Sequence, residues 1–149
     1  MRGEIIAIGD ELTSGRILNT TSYFAAGQLF AAGHEIVAMC TIGDDPVLIG
    51  KTLLNSLARS EFVIVTGGLG ATSDDLTNEA VMDALARPVT FYPEIMAQIR
   101  AGSKNAPENV RLSLEKLAWL PAGAHALKFD ATMAGYFLVH EGKPRFFLP

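Results

Sequence analysis

One segment of the sequence, VTGGLGATSDDLT at residues 65–77, combines three kinds of residue that bind polar ligands. Its glycines, Gly67, Gly68 and Gly70, allow positive φ angles and expose backbone amides that can surround an anion. Its hydroxyl and acidic side chains are those of Thr72, Ser73, Thr77, Asp74 and Asp75. The segment therefore predicts a site for a phosphate-bearing small molecule, in which the role of the two acids needs an explanation.

The two acids conflict electrostatically with a bound phosphate. At about 4 Å, a carboxylate and a phosphate repel by roughly 4 kcal/mol in a medium of intermediate dielectric constant. A divalent cation removes the conflict, because Mg²⁺ takes one or two carboxylates together with substrate phosphates. Alternatively, the carboxylates accept hydrogen bonds from hydroxyl or ring N–H groups of the ligand. Both alternatives predict a polar, phosphate-bearing ligand.

The elements that position this segment follow from hydrophobic patterning. Three apolar, β-branched runs are typical of buried parallel strands: residues 4–8, 35–42 and 62–66. Apolar residues at helical spacing predict helices that alternate with them: residues 20–32, 46–59, 78–86 and 93–101. This order predicts the α/β class, as a three-layer α/β/α sandwich with a mostly parallel central sheet and right-handed crossovers. Residues 102–109 are expected to form a mobile loop and residues 135–149 a C-terminal β-hairpin.

In such a sheet, ligands bind beyond the carboxyl ends of the strands. Three loops leave those ends, and each contains carboxylates: residues 9–16, 43–46 and 67–77. In the first loop, the candidate contacts to the ligand are Gly9, Asp10 and Ser14. In the third loop, Thr77 is predicted to cap the following helix, whose N-terminus favours an anion. Asp74 and Asp75 would then be available to the ligand.

Other phosphate and hydrolase motifs do not match. The dinucleotide fingerprint requires glycine or alanine at position 73, where this chain has Ser73. The tripeptide GKT at 50–52 resembles the end of a P-loop, but that motif requires glycine where Asp45 stands. There is no G-x-S-x-G elbow. The aromatic residues Trp119, Phe146 and Phe147 are most simply interpreted as core.

The composition excludes several further classes of protein. With 149 residues, 49% hydrophobic and 19% charged, the chain suits one globular domain over residues 1–149. A net charge of −4 argues against a nucleic-acid partner, which favours a basic face. No apolar run approaches the roughly 20 residues of a membrane span, and the run at 5–8 is too short for a signal peptide. The single cysteine, Cys40, is predicted to be buried and indicates a reducing, cytoplasmic compartment.

Three segments of the sequence resemble the molybdopterin-binding domain family. They are IIAIGDELTSGRILNT (5–20), IGDD (42–45) and TGGLGATSDDLTNEA (66–80). Within that family, GGLG with paired aspartates is more similar to the N-terminal domain of competence/damage-inducible CinA proteins than to the GGTG of molybdopterin enzymes. The resemblance covers essentially the whole chain.

This resemblance implies a fold and a chemistry. The family's α/β/α sandwiches bind molybdopterin, its adenylylated form or nucleotide diphosphates. MogA- and gephyrin-type members attach AMP to molybdopterin with a metal and two aspartates, which align with Asp45 and Asp75. The CinA branch implies metal-dependent hydrolysis of ADP-ribose. By resemblance, Asp45 and Asp75 are therefore the expected catalytic residues and ligands of Mg²⁺ or Co²⁺, in a homo-oligomer, either a dimer or a trimer.

Three interpretations of function stay open at this point. The first is metal-dependent hydrolysis of a nucleotide diphosphate, the second is molybdopterin binding or adenylylation, and the third is a non-catalytic ligand-binding module. The third is favoured by the turn at 131–135, where this chain has ATMAG and the family has Gly-Thr-Ala-Pro-Gly. The chain also departs from the family's prolines at positions 71 and 78. The chain also ends at FFLP where the family continues with Gly-Val-Pro, so a C-terminal truncation is expected.

Overall fold

The structure is a computed structural model that describes residues 1–70, 75–127 and 135–149. Its strands are β1 (Arg2–Ile8), β2 (Glu35–Ile42), β3 (Phe62–Thr66), β4 (Val89–Phe91), β5 (Trp119–Pro121), β6 (His125–Ala126), β7 (Tyr136–His140) and β8 (Lys143–Leu148). Its helices are α1 (Asp10–Thr13), α2 (Thr20–Ala31), α3 (Pro46–Arg59), α4 (Thr77–Ala84), α5 (Pro93–Gly102) and α6 (Glu108–Glu115). A single 3₁₀ turn over Lys116–Ala118 joins α6 to β5.

The main sheet has the strand order β2-β1-β3-β8-β7-β6 within the described residues. Strands β2, β1, β3 and β8 are parallel, with Ile5 opposite both Met39 and Ile64, and β7 and β6 add antiparallel partners. The mostly parallel sheet and the C-terminal hairpin of β7 and β8 confirm the fold predicted from the sequence. At the hairpin turn, Glu141 and Gly142 have φ angles of 50° and 75°, which match the twist of a two-residue connection.

Helices cover both faces of the sheet. Strand β1 lies between β2 and β3, so the crossover from β1 to β2 and the crossover from β2 to β3 run in opposite directions along the sheet. Right-handed crossovers then place α2 and α3 on opposite faces. Helix α2 contacts β1 and β2, whereas α3 contacts β1, β3 and α4. The buried core lies mainly beneath α3 and α4, and it includes Ile6, Leu53, Val63, Val81 and Phe147.

Several sequence predictions need correction. Helix α4 covers Thr77–Ala84 and not 78–86, and β1 begins two residues before position 4. The predicted loop over 102–109 contains only residues 103–107, because α6 begins at Glu108. A second, two-stranded antiparallel sheet of β4 and β5 was not predicted. Cys40 is only partly buried, and Trp119 is 48% exposed instead of belonging to the core, whereas Phe147 is buried as predicted.

Within the three described ranges, no helix combines the length and the apolarity that a membrane crossing requires.

Candidate functional site

The carboxyl ends of the parallel strands converge, as the sequence predicted. After β1, the N–H of Gly9 donates to the Ile42 carbonyl at 2.9 Å, which joins the loops that follow β1 and β2. After β3, the N–H of Gly67 donates to the Leu148 carbonyl at 3.0 Å, which joins the glycine loop to the end of β8. The loops beginning at residues 9, 43 and 67 therefore meet at one edge of the sheet.

Two glycines of the loop after β3 are required by the fold itself. Gly67 and Gly68 have φ angles of +94° and +68°, which L side chains rarely adopt. A Cβ on Gly67 would overlap with the Ile8 carbonyl oxygen, and one on Gly68 would overlap with the hydroxyl of Thr77. The sequence predicts a ligand-binding role for these glycines, and close approach of the chain to itself already requires them.

Thr77 does not cap α4, in contrast to the sequence prediction. The helix begins at Thr77, its N-cap residue is Leu76, and Thr77 is completely buried. The Thr77 hydroxyl donates to the Gly67 carbonyl at 3.0 Å, and its N–H donates to the Gly68 carbonyl at 3.3 Å. Thr77 therefore anchors the two strained glycines, and this tertiary role explains a hydroxyl residue at that position.

Asp75 and Gly70 line a cavity of about 340 Å³ between α4 and β5. The Asp75 carboxylate lies directly against Gly70, where any Cβ would overlap with it. Polar lining groups come from Asp75, Asn78, Glu79 and Lys116, and apolar ones from Leu76, Met82, Val89, Leu117 and Trp119. A volume of this size falls within the range of ligand pockets, about 300–1,000 Å³.

A smaller cavity of about 240 Å³ flanks the glycine loop at Gly67 and Thr66. Its polar lining groups come from Glu11, Asn19, Thr20 and Thr21 of the segment that follows β1. The Asn19 side chain caps α2 by accepting from the N–H of Ser22 at 3.1 Å, so the fold already uses its carbonyl.

Asp10 and Asp44 connect the first two loops reciprocally. The N–H of Asp10 donates to Asp44 Oδ2 at 2.9 Å, and the N–H of Asp44 donates to Asp10 Oδ1 at 3.0 Å. Ser14, the other candidate of this loop, is exposed, and its hydroxyl accepts from Arg16 Nε at 3.0 Å. The sequence analysis placed Asp10 at the ligand and assigned no role to Asp44. In the structure, the two residues hold the loops together.

Asp45 is the N-cap of α3. Its Oδ1 accepts from the N–H of Leu48 at 2.8 Å, and Pro46 follows at the start of the helix. A capping aspartate stabilises the helix by satisfying one of its unpaired amides. Asp45 is exposed, and its Oδ2 makes no hydrogen bond to the described part of the chain.

The structure therefore brings some candidate residues together and leaves others apart. Five candidates lie in or against the loop that follows β3: Gly67, Gly68, Gly70, Asp75 and Thr77. Three others lie in the loop that follows β1: Gly9, Asp10 and Ser14. The described residues contain no cluster of three or more His, Cys, Asp or Glu side chains suited to a metal. Thr72, Ser73 and Asp74 lie outside the described residues, as does the turn at 131–134.

Apart from Gly70 and Asp75, the residues that line the larger cavity were not predicted from the sequence, among them Asn78, Glu79, Lys116 and Trp119. The sequence distinguishes Asn78 only as a position where the family has proline, and it favours a core position for Trp119. Lys116 and Trp119 belong to a 3₁₀ turn and a short strand far from the glycine loop in sequence. No periodic pattern in the sequence connects these two segments.

The fold defines a class: an α/β/α domain of the doubly wound type, in which ligands generally bind at the carboxyl ends of the strands. The sequence matches the family described as "Probable molybdopterin binding domain" over residues 4–149. The chain belongs to this family, on its CinA-like side.

Individual relatives agree with that assignment. A CinA-like protein of Desulfotalea psychrophila is 58% identical over 98% of this chain and 35% of its own length. A CinA-like protein of Thermotoga maritima is 34% identical over 99% of this chain and 36% of its own length. The chain thus spans about a third of the length of these curated relatives.

Solved structures give the same fold. The CinA structure from Thermoplasma acidophilum has a TM-score of 0.89 at 25% identity, and the match covers 99% of this chain and 87% of that one. The molybdopterin biosynthesis enzyme MoaB from Thermus thermophilus has a TM-score of 0.64 at 21% identity, over 99% and 80% of the two chains. The second similarity concerns the fold alone.

Proposed function

We propose that this domain hydrolyses a nucleotide diphosphate such as ADP-ribose with the help of a divalent cation. The observation that carries the proposal is the Asp75 carboxylate, which lies against Gly70 in the lining of a cavity between α4 and β5. In a CinA-like chain, an acid beside a glycine loop supports the binding of a diphosphate. Hydrolysis adds water across the P–O–P bridge, and ADP-ribose yields AMP and ribose 5-phosphate.

The proposed cation would be shared with the substrate. Mg²⁺ is commonly held by one or two carboxylates, with water and substrate phosphates completing its coordination. Asp75 and Asp45 would supply those carboxylates, Asp45 through the oxygen that does not cap α3. When bound, the cation polarises a phosphoryl oxygen and activates water.

The remaining contributions come from the chain itself. The glycine loop, fixed by Thr77, would offer the phosphate oxygens backbone amides other than that of Gly67, which donates to the Leu148 carbonyl. The reciprocal bonds of Asp10 and Asp44 keep the loop containing Asp45 beside the loop that follows β1. These contacts orient the ligand before any bond is broken, which lowers the entropic cost of the reaction.

The test is metal-dependent turnover of ADP-ribose by the wild-type chain and by Asp75→Asn. We expect the variant to lose turnover while its melting temperature stays close to that of the wild type. Asp83→Asn is the matched control, because Asp83 is an exposed acid on the adjacent helix α4, outside the cavity at its N-terminus. Equal turnover in all three proteins would contradict the cation assignment.

Molybdopterin binding or adenylylation is the second candidate function. The match to the molybdopterin-binding family and the MoaB-like fold favour it. Incubation with molybdopterin and Mg-ATP, followed by mass spectrometry of the small molecules, distinguishes it from the first. An adenylylated pterin would support this candidate. Binding of either ligand without any product would support the third interpretation, a non-catalytic binding module.

Self-association into a dimer or trimer also remains a proposal. It is supported by large apolar side chains that stay exposed on and around α2, among them Tyr23 at 82% and Phe30 at 80%. Sedimentation velocity on the wild type and on Phe30→Glu tests it. We expect the variant to shift toward the monomer, and a monomeric wild type at high protein concentration would contradict the proposal.

A further inference from the structure

Helix α2 carries large apolar side chains on its outer surface and no charge. None of its twelve residues is charged, and Ser22 is the only one of them that is buried. Tyr23, Phe24 and Phe30 are 82%, 65% and 80% exposed. A surface helix normally directs charged or polar residues to solvent and its apolar stripe to the core. The described part of the chain therefore leaves the aromatic side of α2 uncovered.

Gly27 lies on this uncovered side of α2. Tyr23, Gly27 and Phe30 are spaced at i, i+4 and i+7, so they share one face of the helix. A Cβ at Gly27 would meet no described atom within 4 Å, and its φ angle is not positive. The described fold therefore does not require a glycine there, although glycine weakens the interior of a helix. A glycine at this position does allow a second helix to approach closely.

Strand β2 lies beside α2 and forms an edge of the main sheet. Its one neighbour among the described strands is β1. The Ile42 carbonyl points toward β1, because it accepts from the N–H of Gly9. Backbone groups alternate in direction along a strand, so those of Met39 and Thr41 point to the open edge. Residues 36–42 include no charged residue and no proline, which are the residues that commonly keep edge strands from pairing.

A bulge limits the part of β2 that can pair with another strand. Val37 is an extra residue on β2 relative to β1. Residues 38–42 are regular and lie opposite residues 4–8 of β1. Any two-fold antiparallel pairing along the whole regular segment is therefore centred on Cys40.

The exposed sides of α2 and β2 form one continuous surface. Phe30 of α2 and Met39 of β2 both line a cavity of about 410 Å³ between these elements. At about 150–250 Å² for each aromatic side chain, the exposed aromatic residues of α2 present roughly 350–550 Å². A stable interface buries about 800 Å² on each partner, so these residues supply about half of it. A two-fold axis brings identical surfaces together, and residues 20–31 and 36–42 contain no charge that would repel its own copy.

We propose that two copies of this chain pair antiparallel through β2, about a two-fold axis that passes between their Cys40 residues. Met39 of each copy then lies opposite Thr41 of the other. The main sheet continues across both copies, and the two α2 helices lie side by side on one face of it, where each covers the aromatic residues of the other. The inference rests on the self-association proposed above, and it assigns that association to one surface and to a dimer.

Cys40 gives a direct readout because it is the single cysteine of the sequence. Its backbone groups point toward β1, so two opposed Cys40 residues would have Cα atoms about 4.5 Å apart. Disulfides span Cα distances of about 4.4–6.8 Å. We expect mild oxidation of the wild type to give a covalent dimer on a non-reducing gel, at a rate that does not fall on dilution until the dimer dissociates.

A displaced thiol serves as the control for this cross-link. The double variant Cys40→Ser, Asn55→Cys moves the thiol to an exposed site on α3. It should cross-link only by collision, at a rate that falls in proportion to the protein concentration. The same dependence on concentration in the wild type would overturn the proposal.

Substitutions at the edge separate strand pairing from association through α2 alone. Met39→Lys adds a charge at an exposed position of the edge and should weaken dimerisation about tenfold or more in sedimentation velocity. Met39→Pro removes the outward N–H without adding a charge and should have the same effect. Val139→Lys is the matched control, because Val139 is an exposed apolar residue of β7, near the other edge of the sheet. Its dimerisation should stay within about threefold of the wild type.

The outcomes distinguish this proposal from the earlier ones. If Phe30→Glu dissociates the dimer but Met39→Lys and Met39→Pro leave it intact, self-association stands and strand pairing is overturned. A trimeric wild type would have the same meaning, whereas a monomeric wild type at high protein concentration would contradict both proposals. None of these measurements uses a nucleotide or a metal, so their results do not depend on the hydrolysis proposal.

Discussion

The hydroxyl of Tyr136 donates a hydrogen bond to Asn78 Oδ1 at 2.8 Å, and this bond joins strand β7 to the first turn of α4. Tyr136 is completely buried, with its ring stacked on Phe147 at a centroid distance of 4.8 Å. Burial raises the pKa of Tyr136, so the hydroxyl stays protonated and must find an acceptor. The departure from the family's proline at position 78 thus supplies the partner of a buried hydroxyl.

Removing that acceptor should destabilise the fold. Asn78→Ala leaves the Tyr136 hydroxyl unpaired, which costs about 1–3 kcal/mol of the free energy of unfolding. Tyr136→Phe in the Asn78→Ala background should recover part of this loss, because no unpaired hydroxyl remains. Urea denaturation of both single variants and the double variant measures the coupling. Strictly additive effects would contradict the interaction, and Asn55→Ala, at an exposed site on α3, serves as the control.

Substitutions at Asp45 can separate its capping of α3 from its proposed role as a cation ligand. Asparagine caps a helix about as well as aspartate, so Asp45→Asn should retain the stability of α3, whereas Asp45→Ala should lose about 1 kcal/mol. Both variants should lose metal-dependent turnover if the carboxylate holds the cation. Thermal melts and turnover assays on the two proteins give the result. Full activity in Asp45→Asn would limit Asp45 to its structural role.

The positive φ angles of Gly67 and Gly68 lead to a third prediction. Gly68→Ala combines an unfavourable φ angle with overlap against the Thr77 hydroxyl, and we expect a loss of about 2–3 kcal/mol in unfolding free energy. Gly142→Ala is the matched control: its φ is +75° but its Cβ would meet nothing within 4 Å. Denaturation curves of the two variants should therefore differ, with the smaller loss of unfolding free energy in Gly142→Ala. Equal losses would show that contact with Thr77 adds no cost.

Glu4 should make stability depend on acid pH. This buried carboxylate accepts hydrogen bonds from Ser56 Oγ at 2.8 Å and from Arg59 Nη2 at 3.0 Å. Burial opposes its ionisation, but the bonds from Arg59 and Ser56 outweigh burial, and the pKa of Glu4 lies below the ordinary 4.5. Because the folded-state pKa is lowered, the stabilisation is fully present above 4.5 and disappears as the pH falls through the lowered value.

Glu4→Gln tests this dependence. The variant should unfold with about 1–3 kcal/mol less free energy than the wild type at pH 7. The difference should shrink below pH 4.5, where the wild type itself becomes protonated. Denaturation at a series of pH values measures it, and a difference that stays constant from pH 7 to pH 3 would contradict the argument.

Arg145 is a buried cation whose removal should be tolerated. Its Nη1 donates to the Pro144 carbonyl at 2.7 Å, but Nε and Nη2 have no partner within the described residues. Burial lowers the pKa of Arg145 to about 10, so the folded state disfavours its charge. Replacing such a group by an apolar side chain of similar length is often neutral or stabilising. Arg145→Met should therefore unfold within about 1 kcal/mol of the wild type, or at higher free energy.

Arg87 serves as the comparison for Arg145→Met, because both of its terminal nitrogens have carbonyl partners. Its Nη1 and Nη2 donate to the carbonyls of Ala122 at 3.1 Å and Val139 at 2.7 Å. Arg87→Met should therefore be the more destabilising of the two variants in the same denaturation experiment. The reverse order would contradict the interpretation of Arg145 as an unsatisfied buried charge.

The sequence predicted those parts of the fold that depend on local pattern. Continuous apolar runs predicted β2 and β3 with the observed bounds, and Asp45 followed by Pro46 marked the start of α3. Helix α6 is amphipathic but none of its residues is buried, and its first two residues, Glu108 and Asn109, fall in the loop predicted at 102–109. The short strands β4 and β5 depend on each other across about thirty intervening residues, which no local pattern records.

The candidate site was predicted by residue type but not by contact. Glycines and acids in residues 67–77 predict a site at the carboxyl edge of the sheet. The sequence does not show which polar groups already form hydrogen bonds within the fold. The bonds of Thr77 to Gly67 and of Asp10 to Asp44 join segments that are separate in the sequence. The exposure of Trp119 was equally hidden, since a large aromatic residue suits a core and a binding wall alike.

The position of β8 between β3 and β7 has a consequence for how the chain assembles during synthesis. Residues 143–148 complete the middle of the sheet, and they pair with β3 some eighty positions earlier. A nascent chain that lacks them leaves β3 with an open edge and Gly67 without its bond to Leu148. Such long-range pairing slows folding and exposes an aggregation-prone strand until it forms. The ribosome therefore releases β1 to α6 before the strand that closes the sheet is available, and the glycine loop takes its final shape only afterwards.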